Sequence, residues 1–178
     1  ETLCLNAREL TAKHGAYEVS GITGYAVTEN FEKMQNFEID RGRYFNGSEL
    51  AGGNFKVVLG HEVYDELFPG GSDFAGKSVF FSGHSFLVIG VLKKTGDNMA
   101  GFNFDRGMIF PYYAAAAIKN VTGLDANSLL MVKAKAGIPT DELSSETEGI
   151  LRAIRRVSPG EKNDFSINRL SQVTERLN

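Results

Sequence analysis

Apolar positions along this chain fall mainly into short runs spaced for strands, with fewer stretches spaced for helices. The densest pair is Val79-Phe80-Phe81 and Phe86-Leu87-Val88-Ile89-Gly90-Val91-Leu92, parted by Ser82-Gly83-His84-Ser85. β-Branched and aromatic runs around a short Gly-containing turn predict a β-hairpin over 77–93. A strand is predicted over 55–59, followed by a two-turn helix over 61–68 whose Val63, Tyr64, Leu67 and Phe68 share one face. Pro69-Gly70-Gly71 stops that helix. Alternation over 16–22 predicts a strand running toward Tyr25, while the residues before it carry little pattern. Phe31, Met34 and Phe37 are spaced for a short helix with Asn30 as its N-cap, and the Gly-, Ser- and Asn-rich stretch 46–54 reads as a loop.

Downstream, 93–105 is a polar, Gly-containing loop, 107–110 a short strand closed by Pro111, and the alanine-rich stretch 112–120 a helix. A β-α-β pattern follows. Residues 128–135 read as a strand, and Pro139-Thr140 opens a helix with Asp141 and Glu142 in its first turn, where they suit the helix dipole. Leu143, Ile150, Leu151, Ile154 and Val157 form its apolar face. Residues 164–169 alternate as a second strand, and 170–178 read as the start of another helix.

Composition narrows the class. With 178 residues, 42% of them hydrophobic, the chain suits one domain or two intimate subdomains with a real core. A net charge of −3 gives no reason to expect nucleic acid or an anionic membrane as partner. The single cysteine, Cys4, excludes a disulfide framework and a thiolate metal site, and leaves the redox compartment open. The longest apolar runs, 86–92 and 108–118, fall short of the ~20 residues that span a bilayer. Glu1 is no initiator Met and no signal peptide opens the chain, so a fragment or processed product is expected.

One motif invites a nucleotide. Gly71-Ser72-Asp73-Phe74-Ala75-Gly76-Lys77-Ser78 fits the Walker A pattern letter for letter. A working phosphate loop needs a strand before it and a helix after it, so that backbone N–H groups and a helix N-terminus face the anion. Here a helix precedes and a β run follows, and no acidic strand end offers a Walker B partner, so the motif reads as a surface loop feeding a strand. His14, His61 and His84 lie far apart without metal-ligand spacing. Asp97 and Asp105 flank a polar loop, where acids are ordinarily solvated. No nucleophile elbow or Cys–His arrangement is present, and neither a catalytic constellation nor a cofactor site is predicted. Within the loop, Met99, Phe102 and Phe104 either form an exposed partner-contact patch or tuck into the core.

Several pieces follow one another in a familiar order. They are Gly21-Ile22-Thr23 with Tyr25, Gly42-Arg43-Tyr44-Phe45, Val57-Val58-Leu59-Gly60 with Val63 and Leu67-Phe68-Pro69, Gly76-Lys77, the run from Phe86 to Leu92, and Ile109-Phe110-Pro111. In this order they resemble the extracytoplasmic (periplasmic) core domain of MacB/FtsX-like ABC-transporter permeases across roughly residues 15–170. The resemblance implies an α+β fold with a β-α-β (Porter-like) subdomain, residues 1–42 and 123–178, and a β-rich (Sabre-like) insertion, residues 43–122. The family's usual first strand and helix ahead of residue 15 are short or absent here. The implied function is a soluble, non-enzymatic module on the periplasmic side of the bacterial inner membrane. It binds substrate or partner and transmits conformational change driven by ATP hydrolysis on a separate cytoplasmic domain or subunit. Implied partners are that ATP-binding subunit, a periplasmic adaptor, or a lipoprotein or peptide substrate, with a dimer in the full transporter. The alternatives are a P-loop nucleotide-binding enzyme using residues 71–78 and a free-standing periplasmic binding protein.

Overall fold

The computed structural model describes residues 1–35, 37–71, 73–96, 102–118 and 127–168. The chain packs as two units, Glu1–Met131 and Val132–Asn178.

The first unit is built on β1 (Thr2–His14) and β2 (Tyr17–Val27), which pair antiparallel along nearly their whole length. β2 pairs parallel with β7 (Gly107–Pro111), and β7 antiparallel with β4 (Lys56–Leu59). β4 runs parallel to β6 (His84–Leu92), which pairs antiparallel with β5 (Ser78–Phe81). β5 returns to β1, where Ala12 faces Phe81 and Lys13 faces Phe80. Six strands therefore close into a ring, with β3 (Ile39–Gly42) added on β6 and β8 (Asn127–Met131) on β1. The hairpin predicted around residue 83 is β5–β6. Its turn is only Ser82-Gly83, with φ of 49° and 83°, the two left-handed residues of a type I′ turn.

Closure explains the continuous apolar runs. Val57, Leu59, Met108 and Phe110 project into one core, with Phe81 and Phe86 stacked at 4.1 Å and Phe110 tilted against Phe81 and edge-on to Phe86. Val58 and Ile109, between them in sequence, project into a second core with Tyr25, Phe31, Phe102 and Phe104. A strand buried on both faces shows no polar alternation. Helix α3 (His61–Leu67) seats Val63, Tyr64 and Leu67 in the first core, as its spacing predicts. The short helix α1 (Phe31–Met34) carries Phe31 into the second. Helix α4 (Tyr112–Ala116) follows β7 directly.

Three expectations are corrected. The stretch before residue 15 is the longest strand in the molecule. Its Ala, Arg, Glu, Leu and Lys favour helix, and two register shifts flanking Leu10, with Glu9 at φ 57°, break the period-two pattern. The predicted loop 46–54 contains helix α2 (Gly47–Ala51), started by a capping box in which Asn46 and Glu49 satisfy each other's backbone N–H. In the second unit α5 (Thr140–Ile154) forms as predicted, whereas the described residues 164–168 are not a strand. Asp164 is instead tied to Arg155 at 2.7 Å, and Asn163 is held by Arg152 and Glu148. No partner strand for this segment lies among the described residues, and alternation alone cannot satisfy a backbone. The helix expected over 170–178 lies outside the described residues.

Glu49 links three elements of the first unit. It is 4% exposed, accepts both Arg43 guanidinium nitrogens at 2.7 Å, and receives Lys56 from the start of β4. Arg43 follows Gly42, whose φ of 76° suits glycine and whose added Cβ would strike the Ile89 carbonyl on β6. The guanidinium foremost, then Lys56 and the Asn46 N–H, hold the Glu49 carboxyl well below the usual carboxylate range against the opposing effect of burial. Glu49→Gln is expected to cost roughly 3 kcal/mol at neutral pH by leaving this site half-paired. Because folding lowers this pKa, the added stability is whole above about pH 4.3 and is lost as pH falls through the lower folded-state value. Urea unfolding at pH 7 and pH 3 checks both points, and an unchanged acid slope in the variant would contradict the second.

Candidate functional site

The β6–β7 connection is the loop in which sequence places candidate contact residues. Its first arm, Lys93-Lys94-Thr95-Gly96, is exposed. Phe102 and Phe104, at 7% and 0% exposure, stack on each other and pack against Tyr25, Phe31 and Phe37 in the second core. Of the two readings of these rings, the structure adopts the interior one. Met99 lies outside the described residues, as does Asp97.

Both ends of the loop are clamped. The buried Asp105 carboxylate accepts the Thr95 N–H at 2.8 Å, the Gly96 N–H at 2.7 Å and the Thr95 hydroxyl at 3.2 Å, so the incoming and outgoing arms meet at one side chain. Its carbonyl accepts the Glu62 and Val63 N–H groups at the start of α3. There Gly60 is required, because an added Cβ would collide with the Phe104 and Asp105 carbonyls. Tyr25 bonds Asn103 twice, donating to its carbonyl at 3.2 Å and accepting its N–H at 3.1 Å, and burial pushes the phenol up to about 12. This clamp escapes sequence reading, since an acid, a threonine and a glycine around a loop are common and nothing marks their convergence.

Beside the exposed arm lies an open concavity of about 440 Å³ lined by Gln35, Phe37, Glu38, Lys93, Lys94 and Thr95. Lys93 pairs with Glu38 at 2.9 Å, and that bond holds the Glu38 carboxyl below its ordinary value. An open surface with charges of both signs at its rim offers ion pairs and hydrogen bonds but not the enclosed lining of a small-molecule site. A second open concavity, about 400 Å³, carries Leu3, Glu29, Leu50, Tyr113 and Leu130 on its walls.

The Walker-like segment lacks the strand-before, helix-after setting of a phosphate loop. A 3₁₀ turn, Pro69–Gly71, precedes it and β5 follows. The Asp73 carboxylate accepts the Ala75 N–H at 2.9 Å, and the Lys77 N–H is bonded to the Phe74 carbonyl. The Lys77 ammonium sits 5.8 Å from the Phe68 ring centroid. Two of the amides in the segment, those of Ala75 and Lys77, are thus turned to local bonds. The histidines stay apart. His14 stacks on Phe68 at 4.3 Å, His61 lies 3.3 Å from Asp65, and His84 stacks on Phe55 at 5.1 Å. No group of three or more metal-type ligands occurs among the described residues.

Comparison with known proteins converges on one group. The family described as MacB-like periplasmic core domain matches residues 6–150. A macrolide export ATP-binding/permease protein MacB of Nitrobacter winogradskyi is 30% identical over 90 residues, covering 51% of this chain and 14% of the relative. An uncharacterized ABC transporter permease, YvrN, of Bacillus subtilis is 24% identical over 153 residues, covering 86% of this chain and 37% of the relative. The chain thus spans well under half the length of these curated relatives. The crystal structure of the periplasmic region of MacB from Actinobacillus actinomycetemcomitans superposes with a TM-score of 0.77 at 17% identity. It covers 99% of this chain, which in turn covers 74% of that region.

The geometry of residues 71–78 generates a direct test. Titration with Mg-ATP in a calorimeter is expected to give no saturable binding for wild type or Lys77→Ala. Saturable binding abolished by Lys77→Ala would restore the nucleotide reading.

Proposed function

The chain belongs to the MacB-like periplasmic core domain family, and on that premise we propose that it is the extracytoplasmic module of an ABC-transporter permease, binding a partner or cargo and passing on movement rather than catalysing a reaction. The observation that carries this reading is the family match over residues 6–150, which spans the closed strand ring, the clamped loop and most of α5. ATP hydrolysis belongs, in this reading, to a cytoplasmic domain or subunit of the same transporter. No described helix is long and apolar enough to cross a membrane.

The chemistry of the first unit supports a contact role. The exposed arm Lys93-Lys94-Thr95-Gly96 and the concavity beside it present charges of both signs on a loop clamped at both ends. Such a surface suits a folded partner or an extended peptide better than an apolar drug-sized molecule. The periplasmic adaptor or lipoprotein class fits this chemistry.

The sidedness is testable in cells. Lys94→Cys in the full-length protein places a thiol on the exposed arm, while the native Cys4 is fully buried and silent. A membrane-impermeant maleimide applied to intact spheroplasts is expected to label the variant clearly above the unsubstituted protein, with buried Cys4 adding nothing. Labelling only after lysis would put the domain in the cytoplasm and overturn the proposal.

A further inference from the structure

The strand ring is not equally strong all the way round. β1 and β2 pair from Cys4 to His14, and β5 and β6 from Ser78 to Phe81. Between β1 and β5, among the described residues, the ladder is two pairs long, Ala12 with Phe81 and Lys13 with Phe80. It stops at both ends for local reasons. Towards Glu9, at φ 57°, β1 bulges, with register shifts on both sides of Leu10. Past His14 the chain turns back into β2 through Gly15, also at φ 57°. Of the four paired residues, Ala12 and Phe81 belong to the first core, while Lys13 and Phe80 belong to neither. Lys13 is ion-paired at 2.8 Å with Glu18 of β2, away from β5. The β4–β7 junction is equally short, but its Val58, Leu59, Met108 and Ile109 are wholly buried. There the Gly60 N–H adds a further bond to the Gly107 carbonyl at 2.8 Å.

What continues the β1–β5 junction is a side chain. His14 Nδ1 lies 2.9 Å from the Ser78 carbonyl at the start of β5. A carbonyl only accepts, so Nδ1 carries the proton and donates it. The imidazole is held for that bond by Phe68, on which it stacks at 4.3 Å, and Phe68 stacks in turn on Tyr64 of α3 at 5.4 Å. We infer that the first unit opens along the β1–β5 seam, with the β1–β2 and β5–β6 hairpins moving as intact leaves, and that His14 is the latch that holds the seam shut. Opening there breaks two strand pairs and one imidazole bond. Elsewhere the ring is joined by longer ladders, or at β4–β7 by one buried on both faces, and local opening follows the route of least lost contact. The open form bares the facing edges of β1 and β5 and the Phe81 side of the first core. The inference assumes nothing about partner or transport, so it and the contact reading can fail separately.

Amide hydrogen exchange on the full-length protein, in detergent, tests it. The amides of 12–13 and 80–81 that point across the seam are expected to exchange about tenfold or more faster than those joining β1 to β2 and β5 to β6. His14→Phe keeps a ring against Phe68 and removes the donor. It should speed the seam amides by roughly a further fivefold to tenfold, the worth of one hydrogen bond, and leave the β2–β7 amides unchanged. His14→Leu, smaller and equally without a donor, gives the same reading where a phenyl ring is not accommodated. Wild-type seam amides as slow as their neighbours would show that the ring does not open there, and that result needs no variant. Seam amides unmoved by the loss of the donor, or a rise of equal size throughout the first unit, would reduce the imidazole to ordinary packing. Each of these results overturns the inference.

Discussion

The fold depends on one strand being paired on both edges at the same place. At Ala12 and Lys13, β1 holds Val19 and Glu18 of β2 on one side and Phe81 and Phe80 of β5 on the other. Those few pairs convert an open row of strands into a ring. Closure leaves the joined stretches without edges and forces β4 and β7 to bury both faces. Two separate cores are the result, one around Phe81, Phe86 and Phe110, the other around Phe31, Phe102 and Phe104. Ala12, wholly buried, is small where the strands converge.

Glycines and one carboxylate then set how the outer elements meet the ring. Gly42 lets β3 approach β6 to within backbone contact, and Gly60 does the same for the start of α3 against the loop at Phe104 and Asp105. Immediately after Gly42, Arg43 finds Glu49, so a turn, a short helix and the first residue of β4 share one charge centre. The residues that carry the family resemblance, Gly42-Arg43 and Gly60 among them, therefore mark close approaches and a buried ion pair rather than chemistry on a substrate.

What could be read from sequence follows from this architecture. The runs 55–59, 86–92 and 107–110 were legible because burial on both faces makes them continuously apolar. The helix at 61–68 was legible because its stripe meets only one core. Residues 2–14 were not, because bulges scramble alternation and the residue types favour helix, so pairing with β2 decides the outcome. Helix α2 was hidden inside a Gly- and Ser-rich stretch, although Asn46 and Glu49 stood at capping-box spacing. Alternation over 164–168 misled because a strand is made by its neighbour, and the arginines ending α5 hold Asn163 and Asp164 instead. In the candidate site, the loop was found but its clamp was not. Asp105, Thr95 and Tyr25 are brought together by the ring, and their distances in sequence say nothing of it. The Walker-like octet was set aside on context alone, and its flanking elements are a 3₁₀ turn and the strand that this context implied.

The burial of Cys4 has a consequence for its thiol chemistry. Burial pushes its thiol up to about 12, which keeps it protonated at neutral pH. Thiol–disulfide exchange proceeds through the thiolate. Once folded, the domain is thus kinetically inert toward small disulfides and oxidoreductases, despite an unpaired cysteine. Its exposure to misoxidation is confined to the interval before the second core packs over that side chain.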